Sequence, residues 1–120
     1  KIAVVFHSIH HHIHRLAVQV KQGIESVPGA TATLYRVPET LSGEVLEKMH
    51  AAPELSDIPL ATPEDLAAAD GIIFGIPSRF GHASAQIRAF IDSLGGLWAA
   101  GALAGKHGAV FFSSAQQTGG

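Results

Sequence analysis

The sequence predicts an α/β protein in which a parallel sheet is covered by helices on both faces. Three observations predict this fold class: short apolar runs of strand length, longer segments with helical spacing, and the alternation of the two along 120 residues. Such alternation is typical of parallel sheets, because each crossover between parallel strands usually contains a helix. Right-handed crossovers then leave few topologies.

Composition is that of a globular protein and excludes several function classes. Hydrophobic residues make up 47% of the chain and charged residues 15%, which argues against disorder. None of the apolar runs approaches the roughly 20 residues of a membrane span, and no leader pattern is visible, so we expect a cytoplasmic protein without an integral membrane segment. A net charge of −2 argues against general nucleic-acid binding. The absence of cysteine removes thiol chemistry.

The first part of the chain predicts two strands around one amphipathic helix. The run at residues 3–6 is apolar and rich in β-branched residues, as in a strand covered on both faces. A polar loop follows it, and apolar residues then recur with the spacing of one helix face until Pro28-Gly29. These are Ile13, Leu16, Ala17, Val20 and Ile24. Thr31 to Val37 predicts an edge strand.

An insert rich in proline separates this part from the next predicted helix. Residues 38–61 contain a short predicted helix through Glu44 to His50. Thr62-Pro63-Glu64-Asp65 then combines a capping hydroxyl, a proline at the first helical position and acidic residues in the first turn. This combination predicts the start of a helix.

Two further strands and a helix complete the prediction. Ile72 to Ile76 is a buried strand, and we expect a loop over Pro77 to Gly81 after it. Ile87, Phe90, Ile91 and Leu94 share one face of a helix that should end at Gly95-Gly96. Gly108 to Ser113 is the last strand, and a polar tail follows it.

Ligands of open parallel sheets bind beyond the carboxyl ends of the strands, where three polar loops are expected. The first, Ser8 to Ile13, opens a helix and suits a monophosphate, since it lacks both the G-K-[ST] and G-x-G-x-x-G patterns. The alternative is an ordinary turn capped by Ser8. The second, Pro77 to Gly81, contains Arg79 and Phe80, which can bind a planar, partly polar ring by hydrogen bonds and stacking. The alternative is a surface turn. The third, Ser113 to Gly120, is rich in hydrogen-bond donors that can line a heterocycle. The alternative is a solvated tail.

Five segments of the chain resemble the WrbA-type NAD(P)H:quinone oxidoreductases of the flavodoxin-like superfamily. They are V-P-E-T at 37–40, T-P-E-D-L at 62–66, F-G-I-P-S-R-F-G at 74–81, G-G-L-W-A at 95–99 and G-A-L-A-G-K at 101–106. The resemblance implies a flavodoxin-like, three-layer α/β/α domain over residues 1–120 with strand order 2-1-3-4. The fifth strand and last helix of the family are absent, so Ala109 to Phe112 should lie at a sheet edge.

The resemblance also implies an activity and its cofactor. Members bind FMN noncovalently, reduce quinones to hydroquinones with NADH or NADPH, and form homo-oligomers, either dimers or tetramers. The flavin carries the chemistry in a ping-pong scheme, so we assign no catalytic side chain.

Site residues follow from the family's motifs. Those at the FMN phosphate would be Ser8, Ile9, His10, His11, His12 and Ile13. Those at the ribityl chain and ring would be Pro77, Ser78, Arg79 and Phe80. Those on the other side of the flavin would be Ser113, Ser114, Ala115, Gln116, Gln117 and Thr118. Trp98 matches a substrate-pocket tryptophan, although a lone tryptophan is more often core or interface, and His10 matches a tyrosine associated with the nicotinamide nucleotide.

The first loop departs from the family pattern, because His11 stands where the family has glycine. If this position needs a positive φ, histidine costs on the order of 1 kcal/mol, which a protonated imidazole beside the phosphate would partly offset. We therefore expect weakened FMN binding, and a flavodoxin-like module without catalysis is the alternative.

A histidine-rich metal binder is a further alternative. His7, His10, His11, His12 and His14 supply imidazoles that suit Zn, Ni or Cu. Adjacent histidines do not readily converge on one ion, so no metal site is predicted.

Overall fold

The computed structural model describes residues 1–119, and its elements largely follow the predicted order. The strands are β1 (Ile2–Phe6), β2 (Ala32–Arg36), β3 (Gly71–Arg79), β4 (His82–Ala83) and β5 (His107–Ser113). The helices are α1 (His12–Glu25), α2 (Gly43–Lys48), α3 (Pro63–Ala68), α4 (Ala85–Asp92) and α5 (Gly95–Ala100). Among residues 1–119, no helix has both the length and the apolar character needed to cross a bilayer.

Four strands form one parallel sheet in the order β2-β1-β3-β5. Since β5 is the fourth parallel strand along the chain, this confirms the predicted order 2-1-3-4. Strand β1 lies in the middle, where Val4 is in register with Leu34 of β2 and Ile73 of β3. Short strand β4, which the sequence did not predict, pairs antiparallel with the end of β3.

The core consists of two layers that lie on opposite faces of the sheet. Successive residues of β1 alternate between them: Ala3 and Val5 belong to one cluster, Val4 and Phe6 to the other, and all four are fully buried. The first cluster includes residues of α3 and α4, and the second those of α1. The three-layer α/β/α prediction is therefore confirmed.

Gly75 allows β3 to lie closely between its neighbours. A Cβ at this position would come within 2.5 Å of the Phe111 ring and 2.9 Å of Phe6 Cβ. A side chain here would clash with the Phe111 ring and with the base of the Phe6 side chain, so glycine is a packing requirement of the sheet.

Strand β3 is longer than the sequence predicted. Residues 77–79, expected as part of a loop, continue the strand, with Pro77 in register with Ser113 of β5 and Ser78 with Ala83 of β4. The prediction was wrong because proline was interpreted as the end of the strand. Strand β1 has no partner residue for β3 beyond Gly75, so the missing N–H of Pro77 breaks no ladder on that side.

The prediction that Gly95-Gly96 ends a helix was also wrong. Helix α4 ends at Asp92, where Ser93 is the C-cap and its hydroxyl donates to the Phe90 carbonyl at 2.5 Å. The two glycines instead form the first turn of α5. Helix α4 thus ends before the glycines, with Ser93 and Leu94 between its last residue and α5.

Two predicted core residues of the helices remain substantially exposed. Leu16 is 42% exposed and Ile91 is 44% exposed. Leu16 lies about 60° from Ile13 around the helix at 100° per residue, at the margin of the apolar stripe, whereas Ile13 and Ala17 are buried. A spacing pattern locates the stripe and does not fix how wide the contact with the sheet is.

Strand β5 lies at the edge of the sheet, as predicted. Among residues 1–119 it pairs with β3 alone. On its outer face Val110 is 60% exposed and Phe112 is 69% exposed. The apolar edge and face of β5 are therefore open in the described part of the chain.

Candidate functional site

A cavity of about 460 Å³ lies at the carboxyl ends of β1, β3 and β5. We call it the central cavity. Its lining comes from all three loops that the sequence singled out. The lining residues are Ser8, Ile9, His10, His12, Ile13, Pro77, Ser78, Arg79, Ser113, Ser114 and Ala115. The three segments meet because parallel neighbouring strands end at the same edge of the sheet.

The loop between β1 and α1 forms a strained helix start. His11 is the N-cap residue of α1 and has φ 66°, in the left-handed region. Its carbonyl accepts a hydrogen bond from Arg15 N at 3.0 Å. The Ser8 hydroxyl accepts a hydrogen bond from His14 N at 3.3 Å, so Ser8 has the capping role considered in the sequence. His11 thus adopts the positive φ that was the condition for strain at this position.

Two histidines attach this loop to the insert that follows β2. His10 Nε2 lies 3.1 Å from the Met49 carbonyl oxygen, and His11 Nε2 lies 2.8 Å from the Pro53 carbonyl oxygen. Since carbonyl oxygens only accept, both Nε2 atoms carry the donated proton. The His11 ring therefore contacts Pro53, and His11 is the one residue of the first loop that does not line the central cavity.

The third loop folds back over β3. The Ser78 hydroxyl donates to the Gly119 carbonyl at 2.9 Å, and Gln116 N donates to the Ser114 hydroxyl at 3.3 Å. Ser113, Ser114 and Ala115 reach the central cavity, but Gln116, Gln117 and Thr118 are not among its lining residues. Half of the third predicted segment thus lies beside the cavity.

Two predicted aromatic site residues lie outside the central cavity. Phe80 is 94% exposed in the turn between β3 and β4 and contributes instead to a neighbouring cavity. Trp98 is 86% exposed on α5 and is not among the residues that line the central cavity. Trp98 is therefore not a core residue in the described part of the chain.

A partly buried polar network next to the site was missed in the sequence. His7 Nε2 lies 3.2 Å from Glu39 Oε1, and Gln86 Nε2 donates to Glu39 Oε2 at 2.6 Å. The network joins the residue after β1, the segment after β2 and the start of α4. Because 32 and 47 residues separate these partners, no local spacing reveals it. The one sequence signal was the presence of Glu39 in the V-P-E-T segment.

The network keeps its imidazole neutral and its carboxyl ionised. Burial lowers the pKa of His7, although the hydrogen bond to Glu39 opposes this shift. Burial alone would raise the pKa of Glu39, but hydrogen bonds from Gln86, His7 and Thr40 N together lower it. His7 Nε2 donates to the carboxylate, and its buried Nδ1 has no partner among residues 1–119.

The histidine-rich segment forms no multi-ligand cluster in the described residues. From Lys1 to Gly119, no three His, Asp or Glu side chains lie close enough together to hold a metal ion. The ring centroids of His10 and His12 are 6.4 Å apart, and those of His11 and His14 are 5.5 Å apart.

The chain is similar over its full length to curated quinone oxidoreductases. It is 52% identical over 120 residues to the quinone-oxidoreductase QR2 of Triphysaria versicolor, covering 100% of this chain and 58% of that protein. It is 53% identical over 122 residues to an NAD(P)H dehydrogenase (quinone) of Geobacter sulfurreducens, covering 99% of this chain and 60% of that one. The chain thus spans about three fifths of the length of these relatives.

A solved structure and a family model agree with this similarity. The crystal structure of a WrbA-like flavodoxin from Agrobacterium tumefaciens matches with a TM-score of 0.71 and 30% identity, over 98% of this chain and 62% of that chain. This confirms the flavodoxin-like fold. The family model described as NADPH-dependent FMN reductase matches residues 1–120. The chain therefore belongs to the NADPH-dependent FMN reductase family.

Proposed function

We propose that the chain binds FMN in the central cavity and reduces quinones to hydroquinones with NADH or NADPH. The observation that carries this proposal is the meeting of three polar loops in one cavity of about 460 Å³. That volume lies within the roughly 300–1,000 Å³ typical of small-molecule sites. The names of the relatives, NAD(P)H dehydrogenase (quinone) and quinone-oxidoreductase, support the same reaction.

The residues of the first loop fit the phosphate of FMN. The loop keeps the left-handed conformation at His11 that a glycine would adopt without strain. Because the His11 ring contacts Pro53, its side chain leaves the central cavity free. Ser8 and the first turn of α1 line the cavity, and a helix N-terminus favours an anion through its dipole.

The remaining lining residues suit a polar ring system. Bound FMN would supply the transfer of two electrons between the nucleotide and the quinone. Ser78, Ser113 and Ser114 offer hydroxyl donors around the cavity, and the Arg79 guanidinium places a positive charge at its side. That charge favours the anionic form of a reduced ring over the neutral one. The net reaction takes a hydride from the nucleotide and one proton from water, so it needs no protein nucleophile.

We infer that the chain is one domain and that it works in the cytoplasm as a homo-oligomer, either a dimer or a tetramer. The residues of the central strand β1 are divided between the two core clusters, so both clusters pack on one sheet, which supports one domain. Trp98, Val110 and Phe112 are exposed apolar side chains on two elements, which supports contacts between subunits.

A flavin titration tests the proposal. We expect the folded chain to bind FMN, with an absorbance band near ~450 nm that bleaches with NADH and returns with benzoquinone. Ser8→Ala should weaken FMN binding, because it removes a hydroxyl that lines the cavity and caps α1. Ser26→Ala, at the other end of α1, should leave FMN binding unchanged. A folded chain that binds no FMN at high micromolar concentration would contradict the proposal.

A flavodoxin-like module without catalysis is the second candidate. The left-handed His11, with φ 66°, favours it, because the backbone strain at this residue weakens a loop that must hold a phosphate. A colourless, folded oligomer would support this candidate over the enzyme.

A further inference from the structure

We propose that a second cavity, beside the central one, binds the pyrophosphate and adenine of the nicotinamide nucleotide, an assignment that rests on the proposed function. This cavity has a volume of about 310 Å³, and we call it the arginine cavity. It shares Ile9 and Arg79 with the central cavity, so a nucleotide bound there would lie directly beside FMN in the central cavity. Arg88 on α4 and Phe80 in the turn after β3 also line it.

The charge of the arginine cavity suits an anionic ligand. Within residues 1–119, the charged residues that line it are Arg79 and Arg88 alone, although the whole chain carries a net charge of −2. Within residues 1–119, neither guanidinium forms an ion pair with a carboxylate. Two unbalanced guanidinium groups at one cavity match the planar, bidentate hydrogen bonding that phosphate oxygens offer.

The aromatic residue at this cavity is held in a strained turn. Phe80 has φ 53° and Gly81 has φ 77°, and together they form the two-residue connection between Arg79 and His82. Positive φ at both central residues is the pattern of a type I′ turn, which favours Asn-Gly. Phenylalanine there costs about 1 kcal/mol and, being 94% exposed, recovers none of it by burial. Its free ring face can instead stack on a planar base.

The network around Glu39 holds part of the lining of the arginine cavity in place. Gln86 lines the cavity, and its side-chain amide donates to Glu39. Glu39 in turn accepts hydrogen bonds from Thr40 N at 2.8 Å and Leu41 N at 3.3 Å. Thr40 and Leu41 line the cavity too, so its shape is set before any ligand binds.

Arg88 distinguishes this subsite from the FMN site. Arg79 lines both cavities, so its substitution would affect both ligands. Arg88 lines the arginine cavity and is absent from the lining of the central cavity. Removal of Arg88 should therefore weaken the nucleotide without weakening FMN.

Calorimetric titration with adenosine diphosphate, in the presence and absence of saturating FMN, tests this assignment. We expect the full chain to bind ADP under both conditions, and Arg88→Gln to weaken ADP roughly tenfold while FMN affinity stays unchanged. Lys48→Gln is the matched control, because it removes one exposed positive charge from α2 outside both cavities and should leave ADP affinity unchanged. Phe80→Asn, which suits the turn, should weaken ADP but not inorganic pyrophosphate.

Three outcomes separate this inference from the proposed function. A chain that binds FMN but not ADP, or that loses ADP when FMN is added, overturns the inference and leaves the proposed function standing. Equal weakening by Arg88→Gln and Lys48→Gln also overturns it, because general charge then explains binding. Arg88-dependent ADP binding without any FMN binding supports the arginine cavity and contradicts the proposed function.

Discussion

At the residue scale, His11 determines the shape of the loop that opens α1. Its φ of 66° lies in the left-handed region, and its ring donates to the Pro53 carbonyl at 2.8 Å. The backbone strain costs on the order of 1 kcal/mol, and the hydrogen bond from the His11 ring to Pro53 stabilises the loop by a comparable amount. The histidine is thus compatible with a conformation that glycine adopts at no cost.

Substitution of His11 by alanine and by glycine should separate these two contributions. Both variants lose the hydrogen bond to Pro53, but only His11→Ala keeps a Cβ in the left-handed region. We expect His11→Gly to be more stable than His11→Ala by roughly 1 kcal/mol and to bind FMN at least as tightly as the parent chain. Urea unfolding measures the first difference and flavin fluorescence the second. Equal stability of the two variants would show that the strain at this position is negligible.

At the element scale, α2 and α3 are both short helices with side-chain caps, but they differ in burial. In α3 the Thr62 hydroxyl accepts from Asp65 N at 3.3 Å while the Asp65 carboxylate accepts from Thr62 N at 2.8 Å, a full capping box. In α2 the Ser42 hydroxyl accepts from Val45 N. Helix α3 buries Leu66 in the first core cluster, whereas α2 buries no residue.

Removal of the two caps should therefore have unequal effects on global stability. Thr62→Ala should lower the free energy of unfolding by about 1 kcal/mol, because α3 must form for Leu66 to pack. Ser42→Ala is the matched control and should cost much less, since α2 can fray without opening the core. Urea unfolding followed by circular dichroism measures both. If Ser42→Ala is destabilised as much as Thr62→Ala, the burial of the helix does not determine how much stability is lost when its cap is removed.

At the scale of the whole molecule, the His7–Glu39–Gln86 network connects three elements that are distant in sequence. It links the end of β1 to the segment after β2 and to α4, across the sheet edge where the central cavity opens. Burial holds the pKa of His7 below its ordinary value of 6.5, and hydrogen bonds hold the pKa of Glu39 below its ordinary value of 4.5. The network should therefore make stability depend on pH.

The sign of this dependence follows from which state binds protons first. The unfolded chain protonates His7 near pH 6.5, and the folded chain does so only at lower pH, so stability is lost as pH falls below 6.5. His14, whose pKa is also lowered mainly by burial, acts in the same direction and the same window. Glu39 adds a further loss as pH falls below 4.5 through its folded pKa.

Glutamine at position 7 should flatten this profile. His7→Gln keeps an N–H donor for Glu39 but does not titrate, so the fall in unfolding free energy between pH 7 and pH 5.5 should become smaller. The His7→Gln/His14→Gln double variant should be flatter still. Urea unfolding at the two pH values provides the measurement. An unchanged slope in the double variant would show that neither imidazole controls acid stability.

Much of the fold and part of the site could be predicted because the signals are local. The apolar run of β1 and the cap of α3 depend on residues close together in sequence, whereas the order of the strands was implied by the family resemblance. The extension of β3 through Pro77, the early end of α4 at Ser93 and the exposure of Leu16 depend on which neighbour lies alongside. Local spacing carries no information about those neighbours.

The sequence by itself determined the alternation of strands and helices, the three loops at the carboxyl ends of the strands and the family resemblance, which in turn implied the sheet order. Only the tertiary structure decided which residues of those loops share a cavity. It turned the His11 ring to Pro53, left Phe80 outside the central cavity and brought Arg88 and Arg79 to the lining of one cavity. It also joined His7 to Glu39 and Gln86. These partners are separated by 32 and 47 residues in the sequence, and they meet because strands and helices pack against each other. No local pattern along the chain predicts such a contact.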